Sequence, residues 1–151
     1  MPYELRDHTA DVAVEAEGDS LSTLFVALAD GLAAASATAI PNDIGDRFEL
    51  EVVAESREAL LFEYLDELIY LRDIRLELPV DNRIEALEYV DDPDDSVPAS
   101  DVPADRWRLE ASAHGVSLES IDAREIKAIT YADMRLEETD SGWEAYVVFD
   151  V

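Results

Sequence analysis

Apolar and polar residues follow regular spacings along most of the chain, and these spacings predict its secondary structure. After a turn-like start, residues 11–18 alternate between apolar and acidic positions and end at Gly18, which predicts a half-buried strand. Ser20 then precedes leucine and phenylalanine side chains spaced three and four residues apart. This spacing predicts a capped helix, followed by a tail of small residues that ends at Pro41.

The second part of the chain repeats this order and then becomes rich in strands. Residues 47–55 alternate again, and Ser56 precedes a helix over 57–73 that carries the strongest apolar stripe in the chain. Five further strands are predicted over residues 74–80, 83–90, 107–116, 126–138 and 143–151. The last two are joined by the turn sequence Asp-Ser-Gly, a hairpin signal. The pattern therefore predicts an α+β fold with two helices packed on a mostly antiparallel sheet.

The segment at about 91–105 has a different composition from the rest. It holds three prolines and six aspartates, which is typical of a flexible, solvated loop. The full length of 151 residues suits one ordinary domain with its own core. We therefore predict a single domain over residues 1–151 that carries this acidic loop.

The charge balance indicates an unusual environment. Eleven basic against 37 acidic residues give a net charge of −26, and Lys127 is the only lysine. Such a surface repels itself in dilute buffer, whereas in molar salt the screening length falls to about 3 Å. Abundant acids with almost no lysine resemble the cytosolic proteins of salt-in halophiles, so we expect a salt-adapted protein.

Several classes of protein lack support in the sequence. There is no cysteine for a disulfide or thiolate site, and no G-x-x-x-x-G-K-[ST], G-x-G-x-x-G or G-x-S-x-G motif. The N-terminus has no apolar signal region and no apolar run reaches the ~18 residues of a membrane span, so we expect a cytoplasmic protein. The acidic charge also argues against direct nucleic-acid binding.

Two carboxylates stand out by position among the many that cover the surface. Asp11 lies at the mouth of the first predicted strand, and Asp150 lies at the end of the last one. If that last strand is docked, Asp150 and the backbone oxygens of Val151 form a cluster of hard ligands, which suits Ca²⁺, Mg²⁺ or Mn²⁺. Lys127 also stands out, because a compact ammonium persists where every other basic residue is arginine.

Four segments together resemble the archease family. They are DHTADVAVEAEGDSL, EALLFEYLDELIYL, REIKAITYADMRLE and the terminal VVFDV, in that family's order and spacing. The resemblance implies an accessory protein of the tRNA-splicing RNA ligase, which joins a 2′,3′-cyclic phosphate end to a 5′-hydroxyl end with GTP. Archeases promote guanylylation of the ligase and its repeated turnover, so the expected role is activation, not catalysis.

The resemblance also implies a divalent metal site, with calcium as the first expectation and magnesium or manganese as alternatives. The family's ligand positions correspond to Asp11, Asp150 and Val151, and we expect His8 and Lys127 to lie near them. No catalytic residue is expected in this chain.

Two positions depart from the family pattern. Ala132 stands where archeases commonly have histidine after the K-A-x-T-Y strand, and Val116 replaces the acid of a G-E pair. Any role of that histidine or that acid is therefore absent or moved in this chain.

Two other functions remain open at the level of sequence. One is a metal-dependent hydrolase that uses Asp11 and Asp150 with His8 as general base, since a bound cation lowers the pKa of water. The other is a chaperone or modulator of a tRNA-modifying enzyme such as a methyltransferase.

Overall fold

The computed structural model describes residues 3–7, 11–37, 39, 45–89 and 107–151. Its elements are, in chain order, β1 (Tyr3–Asp7), β2 (Asp11–Gly18), α1 (Leu21–Ser36), β3 (Arg47–Ala54), α2 (Arg57–Arg75), β4 (Glu77–Tyr89), β5 (Trp107–Ser117), β6 (Ala128–Thr139) and β7 (Gly142–Asp150). The predicted α+β fold with two long helices is confirmed. The predicted loop at 91–105 lies outside the described residues.

The strands form two antiparallel sheets. One has four strands in the order β1-β2-β7-β6, and the other has three in the order β3-β5-β4. The hairpin predicted between the last two strands is confirmed, because Thr139 pairs with Gly142 across a two-residue turn. A Cβ on Gly142, where φ is +154°, would meet the Gly18 carbonyl oxygen at 2.3 Å, so this turn requires glycine.

Both helices begin directly after the serines that the sequence predicts as their caps, Ser20 and Ser56. The Ser20 hydroxyl accepts a hydrogen bond from the Thr23 N–H at 3.1 Å, and the Ser56 hydroxyl accepts one from the Ala59 N–H at 3.1 Å. Each bond satisfies a backbone donor that the first turn of a helix leaves unpaired. Serine at these two positions therefore fixes where α1 and α2 start.

The core lies between the helices and the two sheets. Phe25 of α1 stacks on Tyr64 of α2 with ring centroids 6.2 Å apart, and Val147 and Phe149 of β7 belong to the same cluster. Tyr64 is fully buried, and its hydroxyl has no hydrogen-bond partner in the described part of the chain. Burial raises the pKa of that hydroxyl far above its ordinary value, so Tyr64 is neutral at physiological pH.

Two features of the fold differ from the prediction. The first residues were predicted as a turn, but Tyr3–Asp7 form strand β1, which pairs with β2. A five-residue edge strand gives too short a pattern to recognise by alternation alone. The strands also divide into two sheets, because pairing between distant segments is not encoded in local periodicity.

The segment after α2 differs as well. The strand predicted over 74–80 begins only at Glu77, because α2 continues to Arg75. The strands predicted over 74–80 and 83–90 are one continuous strand, β4, with a register shift between Val80 and Arg83. Asp81 lies at this bulge with φ +49°, and the extra residue interrupts the alternation that a regular strand would show.

Replacing Tyr64 with phenylalanine tests the packing of its hydroxyl. Because a buried hydroxyl without a partner carries a desolvation cost, Tyr64→Phe should raise the free energy of unfolding by about 1–3 kcal/mol. Urea denaturation at fixed salt measures it, with exposed Tyr70→Phe as a control expected within about 0.5 kcal/mol of the parent. A loss of stability would show that the hydroxyl has a bonding partner.

Candidate metal centre

The candidate site lies at one end of the four-stranded sheet. Strand β7 runs between β2 and β6, and its last residue, Asp150, pairs with Asp11 on one side and with Ala128 on the other. Residues almost 140 positions apart are thereby brought side by side. The predicted proximity of the two aspartates is present in the fold.

The two carboxylates share one face of the sheet. Residues directly opposite each other on antiparallel strands have Cβ atoms about 4.5–5.5 Å apart, and like charges in such a pair are destabilising. Asp11 is half-buried and Asp150 is exposed. A cation between them would remove the repulsion and coordinate oxygens of both side chains.

Opposed acids occur elsewhere in this sheet, so the pairing needs a comparison. Glu17, Glu144 and Glu137 are also paired across β2, β7 and β6, but all three are exposed to solvent. Water and mobile counterions screen such a group well. Asp11 differs because it is half-buried, which weakens solvent screening at the site.

The segment before β6 is fixed to the same end of the sheet. The Lys127 N–H donates a hydrogen bond to the Asp150 carbonyl oxygen at 2.8 Å. The preceding residue, Ile126, is fully buried, while Lys127 itself is exposed. The backbone of Lys127 is therefore positioned beside Asp150, as its predicted place near the site requires.

Two arginines hold this segment against the helices. At the C-terminal end of α2, the buried Arg72 donates a hydrogen bond to the Ile126 carbonyl oxygen at 2.8 Å. Arg124 donates through its backbone N–H to the Ser36 carbonyl oxygen and through Nε to the Ala35 carbonyl oxygen, both at 2.8 Å. These bonds satisfy carbonyls at the end of α1 and place positive charge there, where the helix dipole favours it.

Sequence reasoning did not identify Arg72 and Arg124. A signal for Arg72 was present, because it continues the buried stripe of Leu65, Leu68 and Ile69 at helical spacing. A charged residue in an apolar stripe must find a partner in the interior. Arg124 had no comparable signal, since its partners are carbonyls of a helix some 90 positions earlier.

The other predicted site residues are placed as follows. Val151 is half-buried and packs against the core, while His8 lies outside the described residues. Within the described ranges, no group of three or more His, Asp or Glu side chains is arranged to hold a metal ion. A cation at Asp11 and Asp150 would therefore take further oxygens from backbone, water or another molecule.

The chain matches a family model over nearly its whole length. The model of the Archease protein family (MTH1598/TM1083) matches residues 3–151. This chain belongs to the archease family. "Protein archease" of Archaeoglobus fulgidus is 32% identical over 155 residues and covers 100% of both chains. That of Thermococcus gammatolerans is 34% identical over 155 residues and covers 99% of this chain and 98% of the relative.

Solved structures show the same fold. The solution structure of Methanobacterium thermoautotrophicum protein 1598 matches with a TM-score of 0.74 at 24% identity, over 99% of each chain. The crystal structure of a Thermotoga maritima archease, described there as a possible chaperone, matches with a TM-score of 0.61 at 21% identity, covering 98% of this chain and 96% of that one. In this archease, neither α1 nor α2 has a stretch long and apolar enough to cross a membrane.

The two departures from the archease pattern lie in different surroundings. Ala132 is exposed on β6, between the paired residues Thr130 and Arg135, where the register with β7 shifts. Val116 is 1% exposed and packs with Leu78 in the smaller of two apolar clusters, on the other sheet. An acid at position 116 would be buried there, so valine suits the packing of this archease.

Arg72→Met should weaken the attachment of the segment before β6. The substitution leaves the Ile126 carbonyl without its donor, so the free energy of unfolding should fall by about 1–3 kcal/mol. Hydrogen exchange should also become faster at the Lys127 amide, whose acceptor is Asp150. Arg83→Met, at a side chain that is 63% exposed, is the matched control and should change neither quantity. Unchanged exchange at Lys127 would contradict the positioning role of Arg72.

Proposed function

We propose that this archease is a metal-binding accessory protein that activates the tRNA-splicing RNA ligase. Its role is to promote guanylylation of the ligase and repeated turnover, while the chemistry of RNA joining belongs to the ligase. Family membership supports the role, and the pairing of Asp11 with Asp150 on one face of the sheet supports the metal site. That pairing is the observation that carries the proposal.

The proposed ligands are the carboxylates of Asp11 and Asp150 and the backbone oxygens of Val151. All are hard oxygen donors, which suit calcium first and magnesium or manganese as alternatives. His8 and Lys127 are proposed as neighbours of the site, not ligands. Because a hard cation takes six or more oxygens, such a site keeps several positions open to water or to groups of the partner.

The charge of the chain supports a division of labour with the ligase. An enzyme that holds RNA needs basic side chains against the phosphates, whereas this chain carries a net charge of −26. The accessory protein therefore acts on the ligase protein and leaves RNA binding to it. We propose that both proteins work in the cytoplasm.

The metal site predicts a specific loss of affinity in aspartate variants. Asp11→Asn and Asp150→Asn should each weaken calcium binding at least tenfold, because an amide removes the negative charge that opposes the cation. Isothermal titration with CaCl₂, MgCl₂ and MnCl₂ at constant ionic strength measures the change. Asp133→Asn removes one exposed charge elsewhere on β6 and should alter affinity less than twofold. Equal affinities in all four proteins would exclude this site.

The activating role predicts an effect on the cognate ligase. Adding the archease to the ligase with GTP and metal should increase the guanylylated fraction and convert a single round of ligation into many. Asp11→Asn should lose most of this effect, while Asp133→Asn should keep it. Labelled GTP and a cyclic-phosphate RNA substrate follow the two steps separately. No gain in either step with the parent protein would refute the proposal.

The same proteins distinguish the other two functions. A modulator of a tRNA methyltransferase would change methyl transfer and leave ligation unaffected. A metal-dependent hydrolase would turn over phosphoesters without any partner, and Asp11→Asn would abolish that turnover. The three functions yield different products, namely ligated RNA, methylated tRNA and hydrolysed phosphoester, so the assays distinguish them.

A further inference from the structure

The outer side of α2 carries apolar side chains that the fold does not bury. Four of the six large apolar residues exposed in the described part of the chain lie on or against this helix, and we call them the α2 surface. They are Tyr70 (55% exposed), Ile74 (58%), Leu76 (67%) and Tyr131 (53%). Exposed apolar side chains grouped along one helix are typical of an interaction site.

Two of these residues, Tyr70 and Ile74, share one face of α2. Tyr70 and Ile74 are four residues apart on α2 and so lie one above the other. Tyr131 of β6 packs edge-on against Phe62 of α2, with ring centroids 5.3 Å apart. Phe62 lies about two helical turns before Tyr70. Tyr131 therefore lies beside the first half of α2, whereas Tyr70, Ile74 and Leu76 lie in or directly after its second half.

Leu76 adds a second, independent observation. It ends α2 in the left-handed conformation with φ +56°, where glycine is the usual residue because a side chain is disfavoured. The structure thus retains a leucine at an unfavourable backbone position, and this side chain is the most exposed of the large apolar side chains in the described ranges. The backbone of Leu76 forms the turn from α2 into β4, and its carbonyl oxygen accepts a hydrogen bond from the Leu118 N–H at 3.1 Å. The exposed side chain is therefore the part of Leu76 that the fold does not use.

Acidic residues on the same side of the helix define the partner. Three acids of α2 are spaced three or four residues from Tyr70 or from one another: Glu63, Asp66 and Glu67. None of them forms an ion pair with any residue that the structure describes. Burial, followed by the charges of Asp66 and Glu63, raises the pKa of Glu67. The face therefore combines apolar anchors with carboxylates that repel one another.

We propose that the α2 surface is the docking face for a protein partner that presents lysine or arginine side chains beside an apolar pocket. This rests on the proposed function, in which the partner is the RNA ligase. A second copy of this chain and RNA are both disfavoured, because each would bring further negative groups against the carboxylates of Glu63, Asp66 and Glu67 at contact distance, where salt screens least. An enzyme that binds RNA has the required basic surface.

The apolar and acidic groups have different tasks in this docking. Buried aromatic and aliphatic anchors supply most of the affinity of an interface, while exposed charges mainly select the partner and speed encounter. The outer face of the four-stranded sheet is also acidic, with Glu17, Glu137 and Glu144 exposed on it. None of the large exposed apolar residues found in the described ranges lies with those glutamates, so that face lacks the anchors.

The test measures binding of the full chain to the cognate ligase by titration calorimetry. Tyr70→Ala/Ile74→Ala should weaken binding at least tenfold, and Asp66→Asn/Glu67→Gln should weaken it and reduce its dependence on salt. The matched controls are Val53→Ala, an exposed apolar side chain on β3, and Glu137→Gln/Glu138→Gln, two exposed acids on β6. Both controls should remain within twofold of the parent.

The outcomes separate this inference from the proposed function. Unchanged calcium affinity and unfolding midpoint in the α2 variants would show that they fold and keep the metal centre. If the parent binds and activates the ligase and the α2 variants bind equally well, the docking face is overturned while the activating role stands. If the parent neither binds nor activates the ligase, the proposed function fails and this inference fails with it.

Discussion

The register of β7 between β2 and β6 is the constraint on which the candidate metal centre depends. Side chains alternate across a sheet, so a slip of one residue would move the buried Phe149 to the outer face and Asp150 into the core. The apolar core excludes that slip, because it would remove Val147 and Phe149 from the core cluster and bury a carboxylate. Packing on one face of β7 therefore determines which acids meet on the other face. The position of Asp150 beside Asp11 is in this sense a consequence of the hydrophobic core.

The helices contribute to the same end of the sheet through their C-termini. Arg124 binds the carbonyls that end α1, and Arg72, in the last turns of α2, binds the carbonyl of Ile126. The segment between these contacts leads directly to the N–H of Lys127, which bonds to Asp150. A movement of either helix end would therefore shift the segment that leads into β6. The candidate metal centre and α2 are thus mechanically connected, and a partner docked on α2 would lie against an element that helps to position the site.

Local patterns in the sequence predicted the helices and most strands because each depends on neighbours within a few residues. Ser20 and Ser56 marked helix starts correctly, and the alternation over 143–151 marked β7. The bulge at Asp81 was hidden, since one extra residue breaks the alternation and makes a single strand resemble two. The meeting of Asp11 with Asp150 could not be derived from spacing, because it depends on pairing between the two ends of the chain. Only the resemblance to archeases joined them.

The charge of −26 would influence the candidate metal centre and the proposed docking face to different degrees as the salt concentration changes. In dilute buffer the field of 37 acids concentrates cations around the protein, so a site with few protein ligands can fill. In concentrated salt that field is screened within a few ångströms, and short-range contacts must supply the affinity. Screening affects half-buried Asp11 less than an exposed acid, because water and ions reach it incompletely. It affects the apolar side chains of the α2 surface little, because their contribution to binding is hydrophobic and not electrostatic. In concentrated salt, the candidate metal centre and the proposed docking face would therefore depend on those residues more than on the exposed acids.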